Sequence, residues 1–319
     1  FRNLFGAGLR TWLTVAVLSF AFVIIILING LVNGWHNQAK NDTINWEIGY
    51  GELQNEKYDA YDPFSIKDGH GVLTNAEEKD LTPILIRQAT IYPQGRMVSI
   101  SLKGIDVNQQ KLKIPTEKLR QSTAAMPVLI GNRMSKSLKL KEGDQILVRW
   151  RDKNGSFDAA DATIVGVFNT NLPQIDIEQI WMPIQQLREI TGLTDNTTLF
   201  IAGKDFKEQA VSGWNFKSQA SLLQNLNDLI QTERITDSII YLLLLSIALL
   251  AIFDTQVLSV FRRQREIGTY ISLGMTRSQV VTLFTVEGSM NSVLAVVVGL
   301  LYGIPLFIYM SKTGMAIPQ

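Results

Sequence analysis

Three long apolar runs, separated by a polar stretch of about 200 residues, constrain this chain more than any other feature. Thr11–Asn33 holds no charged residue, Ile239–Phe261 holds only Asp254, and Val280–Met310 holds only Glu287. At about 1.5 Å per residue, each run as a helix crosses a hydrocarbon core about 30 Å thick. A cleaved leader is the alternative for the first run, since Arg2 and Arg10 precede it. The run exceeds a normal leader core, however, and no small-x-small cleavage site follows it. A buried core helix is the alternative for each run, and three such runs with basic flanks argue against it. The averages, 46% apolar residues and a net charge of +1, describe an ordinary soluble protein and hide this segregation. So small a net charge gives no reason to expect a nucleic-acid partner.

Basic residues near the segment ends set the orientation. Arg2 and Arg10 lie before the first segment; Arg262, Arg263, Arg265 and Arg277 lie between the second and third. Both places are expected in the cytoplasm. The chain then reads as a multi-pass protein of the cytoplasmic (inner) membrane, with its large domain outside. Residues 1–33 form the N-terminal segment and first membrane helix, 34–216 the outer domain, and 217–261 a stalk and the second membrane helix. Residues 262–279 form the cytoplasmic link, 280–310 the third membrane helix, and 311–319 the start of an outer loop. Because that end falls outside, a returning fourth segment is expected beyond it. The fold class is an α-helical transmembrane bundle carrying a large mixed α+β extracytoplasmic domain.

Within the outer domain, Val98, Ile100 and Leu102 alternate with Ser99 and Ser101 as in a half-buried strand. Lys141–Phe168 reads as two strands, with Asn154–Gly155 marking a hairpin turn. Met134, Leu138 and Leu140 are spaced as in a short helix, and Pro183 suits the first turn of another. Leu222, Leu226, Leu229 and Ile230 recur at helical spacing, with no Gly or Pro before the second membrane run. One helix from Lys217 to Phe261 would be on the order of 65 Å long. A kink near Thr236–Asp237 is the alternative.

Catalytic chemistry finds little support. There is no cysteine, and the two histidines, His36 and His70, read as solvated residues at the membrane boundary and in a loop. Asp59 and Asp62 sit in an aromatic, Pro-containing stretch that reads as a loop. No metal-ligand spacing and no Gly-x-x-x-x-Gly-Lys-Ser/Thr phosphate cradle occurs. The chain is therefore expected not to be an enzyme and to need no cofactor of its own. Any nucleotide-driven work falls to a partner that binds ATP and Mg.

Asp254 and Glu287 each lie about seven residues from the link, roughly 10 Å inside the cytoplasmic boundary. Charged groups at that depth face a bundle interior or a partner, or else reach the interface. Gly299 and Gly303 form a small-x-x-x-small pair, suited to close helix contact within one subunit or between two. The link itself reads as a helix, with Glu266 and Tyr270 on one side and Arg263 near Ile267. Gly274 ends it, and Thr276 with Gln279 makes a capping box for the next helix. Such a short charged helix suits docking into a partner groove. A plain topology signal accounts for the arginines but not for the helical pattern.

The stretch "RRQREIGTYISLGMTRSQVVTLFTVEG" resembles the link of FtsX/MacB/LolC-type permease subunits of ABC transporters. Arg263, Glu266, Ile267, Gly268, Leu273, Gly274, Arg277, Glu287 and Gly288 carry the likeness. The start, at Asn3, Arg10, Thr11 and Thr14, is similar to the same family, as are "PVLIGNRMSKSLKLKEGDQILV" and "GYGELQNEKYDAYDP" in the outer domain. The resemblance implies four membrane helices and a coupling helix at Arg262, Arg263, Arg265, Glu266, Ile267, Gly268, Gly274 and Arg277. It implies a cytoplasmic ABC ATPase dimer, a second permease subunit, identical or homologous, and the lipid bilayer as partners. Mechanotransmission to the outer domain is implied, with lipoprotein release as the leading function. Lipoproteins or a periplasmic adaptor would then be further partners. The alternatives are efflux of drugs or peptides through a tripartite pump and signalling to a cell-wall hydrolase.

Overall fold

A computed structural model describes residues 8–73, 80–206 and 211–313. Arg2, Asn3 and residues 314–319 lie outside the described residues. The chain forms two compact units: Phe1–His36 with Leu229–Gln319, and Asn37–Asp228. Its first helix, α1 (Gly8–Thr43), runs past Asn33, where the sequence predicts an end. Polar residues sustain the extra turns: the Gln38 amide donates to both carboxylate oxygens of Asp42, one turn on, at 3.0 and 2.9 Å. A π-helical turn, Ile44–Ile48, follows and stops at Gly49, whose φ of +56° favours glycine.

The outer unit is built on a nine-stranded sheet. Its elements are β1 (Gly51–Asn55), β2 (Leu81–Ile91), β3 (Val98–Ile105), α2 (Thr116–Gln121), β4 (Pro127–Gly131), α3 (Asn132–Leu138), β5 (Gln145–Arg151) and β6 (Phe157–Phe168). They continue with α4 (Pro173–Glu178), β7 (Gln179–Pro183), α5 (Ile184–Thr191), β8 (Leu199–Ala202), β9 (Trp214–Ser218) and α6 (Gln219–Leu222). The strand order is β3-β7-β4-β6-β5-β2, and β2 pairs back onto β3, so six strands close into a ring. Strands β8, β1 and β9 extend from the other end of β2.

Alternation along the strands divides the domain into two layers. All six ring strands give residues to one cluster, among them Leu85, Leu102, Ile130, Val148, Ile164 and Ile180, so this cluster fills the interior. Their neighbours Ile86, Ile105, Leu129 and Trp181 point outward and join Leu199 and Ile201 of β8 in a second cluster. The predicted alternation of Val98, Ile100 and Leu102 is the inward face of β3. The hairpin turn at Asn154–Gly155 joins β5 to β6, with Gly155 at φ +82°. The helix predicted after Pro183 is α5, but Pro183 closes β7 and caps the helix instead of lying in its first turn.

The stalk departs from expectation. Lys217 and Ser218 belong to β9, because pairing with Glu52 and Gly51 of β1 outcompetes their helical pattern. The long helix α7 begins only at Gln224, after the single turn α6 and a break at Leu223, and runs to Arg262. It passes Thr236–Asp237 without interruption. The compact outer unit runs from Asn37 to Asp228. Two short-linked helices follow, α8 (Gln264–Ser272) and α9 (Arg277–Thr313), the latter with Pro305 inside it.

Among the described residues, two segments are long and apolar enough to cross a membrane, Val15–Ile48 and Ser292–Thr313. The run Ile239–Phe261 is helical throughout as part of α7. Gly299 and Gly303 serve packing within the chain: a Cβ on them would lie 3.2 Å from Phe22 Cδ1 and 3.1 Å from Val23 Cγ2 of α1. Val15, Ser19, Val23 and Ala295 are buried.

A tight contact fixes the floor of the outer unit. Asp176 is fully buried, and its Oδ1 accepts from the Arg133 backbone N–H at 3.0 Å, holding the start of α3. A Cβ on Gly131 would meet Asp176 Oδ1 at 2.2 Å and its Cα at 2.5 Å. Gly131→Ala is expected to destabilise the domain by more than about 3 kcal/mol. Gly155→Ala, with nothing near it, should cost only about 1 kcal/mol through its positive φ. Thermal melting of the two variants checks the difference.

Candidate functional site

The link between α7 and α9 is a folded element. Arg263, non-helical at φ −102° and ψ 17°, separates α7 from α8. Its Nε lies 2.7 Å from Glu266 Oε2 across one turn, which pins the start of α8. The same guanidinium stands 5.3 Å from the Phe284 ring centroid in α9, tying the two arms of the link together. At the far end Gly274 adopts φ +93°, and Met275 N donates to the Tyr270 carbonyl at 3.1 Å. Thr276 N donates to Gln279 Oε1 at 2.9 Å, and Gln279 N to Thr276 Oγ1 at 3.4 Å. This is the reciprocal box read from the sequence.

Ile267 and Tyr270 are half-buried, while Arg262, Arg265, Gly268 and Arg277 are exposed. Ile271 and Leu273 are also exposed, at 47% and 77%. The link thus presents arginines beside bare apolar side chains, a surface suited to a protein groove. Asp254 is exposed on α7, and among the described residues it makes no ion pair. Glu287 lies within α9, but its side chain falls outside the described residues, as does that of Arg10.

The histidines are more engaged than their solvated reading predicts. His36 Nε2 lies 2.8 Å from Glu233 Oε2 of α7, with only 12% of its side chain exposed. His70 Nδ1 lies 2.9 Å from Asn196 Oδ1. Both partners are distant in sequence, so spacing gave no sign of either contact. Among the described residues no group of three or more His, Asp or Glu is placed to hold a metal.

Sequence reading also missed a polar cluster on the outward face of the ring. Glu52 and Gln54 of β1, Lys103 of β3 and Trp181 of β7 lie on the face that carries the second apolar cluster. Burial pushes the Glu52 carboxyl up to about 7; the Gln54 amide, which donates to it, opposes that rise, and nearby Glu47 adds to it. Burial lowers Lys103, against the pull of Glu47 and Glu52. Its Nζ stands 5.2 Å from the Trp181 ring centroid. Gln54 Oε1, Gln179 Oε1 and Trp181 Nε1 are buried without a hydrogen-bond partner among the described residues. Only the pleat of β1 hinted at this, by placing Glu52 and Gln54 on the same side as each other. With no nucleophile and no oriented base beside it, the cluster can take up or release a proton but is not arranged for catalysis.

The chain thus joins long apolar helices and a folded basic link in one unit, and a mixed α/β sheet domain in another. Residues 238–318 match the family model FtsX-like permease C-terminal. The matched stretch takes in the second half of α7, the link and α9, and leaves the outer unit and α1 outside it. Among solved structures, the extracellular domain of the noncanonic ABC-type transporter YknZ from Gram-positive bacteria is similar at 17% identity. That likeness covers 56% of this chain and 94% of the other, with a TM-score of 0.29, and by itself says nothing of the fold. No curated protein matches the chain.

Glu52 generates a pH prediction. Its folded pKa, about 7, lies above the ordinary 4.5. The folded state therefore binds the extra proton between those values, and stability is full below about 4.5 and lost as pH rises through about 7. Glu52→Gln is expected to remove that loss, worth on the order of 3 kcal/mol, and to raise the melting temperature at pH 8 but not at pH 4. Melting curves across that range check it.

Proposed function

We propose that this chain is the mechanotransmitting permease of a MacB/LolCDE-like ABC transporter, with the link 262–279 docking on a cytoplasmic ATPase. The observation that carries this reading is the link's construction: braced by the Arg263–Glu266 pair at one end and the Thr276–Gln279 box at the other, with Arg265, Ile271 and Leu273 left bare. A topology signal needs arginines alone, whereas fixed geometry beside exposed apolar residues is what a docking element needs. The chain does not hydrolyse ATP. The nucleotide and Mg belong to the ATPase pair, which works with two permeases, identical or homologous. The N-terminus and the link face the cytoplasm, and the three apolar runs cross the membrane with a fourth expected. Exposed Asp254 then faces the second permease or the interfacial water.

Work is delivered to the outer unit, and lipoprotein extraction is the leading task. Drug or peptide efflux through a periplasmic adaptor, or control of a wall hydrolase, are the other outcomes of the test. Proteins co-purifying with the tagged chain from its own membranes are expected to include an ATPase together with lipoproteins. An ATPase with an adaptor or a hydrolase would move the function to efflux or signalling. No ATPase at stoichiometric level would refute the docking role.

Glu266 gives a sharper test. Its pair with Arg263 is exposed, so losing it costs about 1 kcal/mol or less. Glu266→Lys is expected to lower the melting temperature by no more than about 4 °C while abolishing ATP-dependent activity of the assembled complex. Unaltered activity would sink the assignment.

A further inference from the structure

A cleft of about 340 Å³ opens between α1 and α7, within the range of small-ligand sites. It lies where the apolar run of α1 ends at Asn33 and that of α7 begins at Ile239, at the outer edge of the hydrocarbon layer under the orientation above. Arg234 of α7 supplies its cationic wall. Among the described residues the Arg234 guanidinium donates from Nη2 to Asn33 Oδ1 at 3.3 Å, and Asn33 in turn donates to Asn29 Oδ1 at 2.6 Å. Asp237, one turn along α7, lines the same cleft with Ser238 and Tyr241. Three residues beyond Asn33, His36 engages Glu233, so Asp237 is the carboxylate left to the cleft.

We propose that this cleft binds the head group of a zwitterionic aminophospholipid, its phosphate on Arg234 and its ammonium on Asp237. The planar fork of arginine matches phosphate oxygens, and most of its donors are not used by Asn33. One cation and one anion share the cleft, so an anionic head group with no amine meets Asp237 unfavourably. Tyrosine is suited to such a boundary, apolar in its ring and polar at its tip. Toward the membrane core, Ile26 and Ile28 of α1 and Ile240 and Leu244 of α7 leave apolar surface exposed along which acyl chains can lie. A soluble phosphate ester has no use for that surface, which assigns the occupant to the bilayer. The site stands whether or not the link docks on an ATPase.

The test is native mass spectrometry of the full chain released from nanodiscs made of equal parts phosphatidylethanolamine, phosphatidylglycerol and diacylglycerol. Retention of phosphatidylethanolamine is expected to exceed that of diacylglycerol by about tenfold, the worth of one hydrogen bond to a charged group. Arg234→Ala should remove that excess. Asp237→Asn should shift preference toward phosphatidylglycerol, a reversal that misfolding cannot produce. Equal retention of diacylglycerol by the unaltered chain would overturn the proposal. So would free phosphoethanolamine displacing the lipid at comparable concentration, or a phosphatidylglycerol preference that Asp237→Asn leaves alone.

Discussion

The pairing of β2 with β3 is the contact on which the outer unit depends. Eight consecutive residue pairs, Ile84 with Ile105 through Ile91 with Val98, close the six-stranded ring. Closure removes two open edges and creates an inside, so each ring strand has a face to bury and a face to offer. Because β2 has eleven residues, its first part is free to carry β8, and through β8 the strands β1 and β9. The polar cluster around Glu52 exists only because this extension sets β1 beside the outward face. Without the β2–β3 pairing neither the core nor that cluster would have walls.

In the membrane unit the corresponding constraint is local. A link of so few residues between two long helices stays folded only if its orphan backbone groups find partners. Thr276 and Gln279 satisfy backbone N–H groups at its far end, the side-chain pair of Arg263 with Glu266 braces its start, and Gly274 turns the chain where a side chain would be strained.

The sequence made legible whatever depends on neighbours along the chain. The capping box at Thr276, the stop at Gly274, the Asn154–Gly155 turn and the alternation of β3 all rest on contacts within a few residues. The break at Leu223 was hidden because β1, far away in sequence, claims Lys217 and Ser218 for a strand. His36 with Glu233, and Glu52 with Lys103, were hidden for the same reason: their partners arrive through topology. Ring closure could not be read either, since no periodicity tells a strand which neighbour it will find.

The helices of the membrane unit are joined to α1 by contacts of very different stiffness. At Gly299 and Gly303 the backbone of α9 meets Phe22 and Val23 so closely that even a methyl group would crowd them. Sliding there meets steep repulsion. The polar contacts to α7, His36 with Glu233 and Asn33 with Arg234, include partly exposed side chains and are worth about 1 kcal/mol each, not far above thermal energy. A load applied along this bundle would therefore be shared unequally: α1 and α9 would travel as one strut, and α7 would be the member that gives.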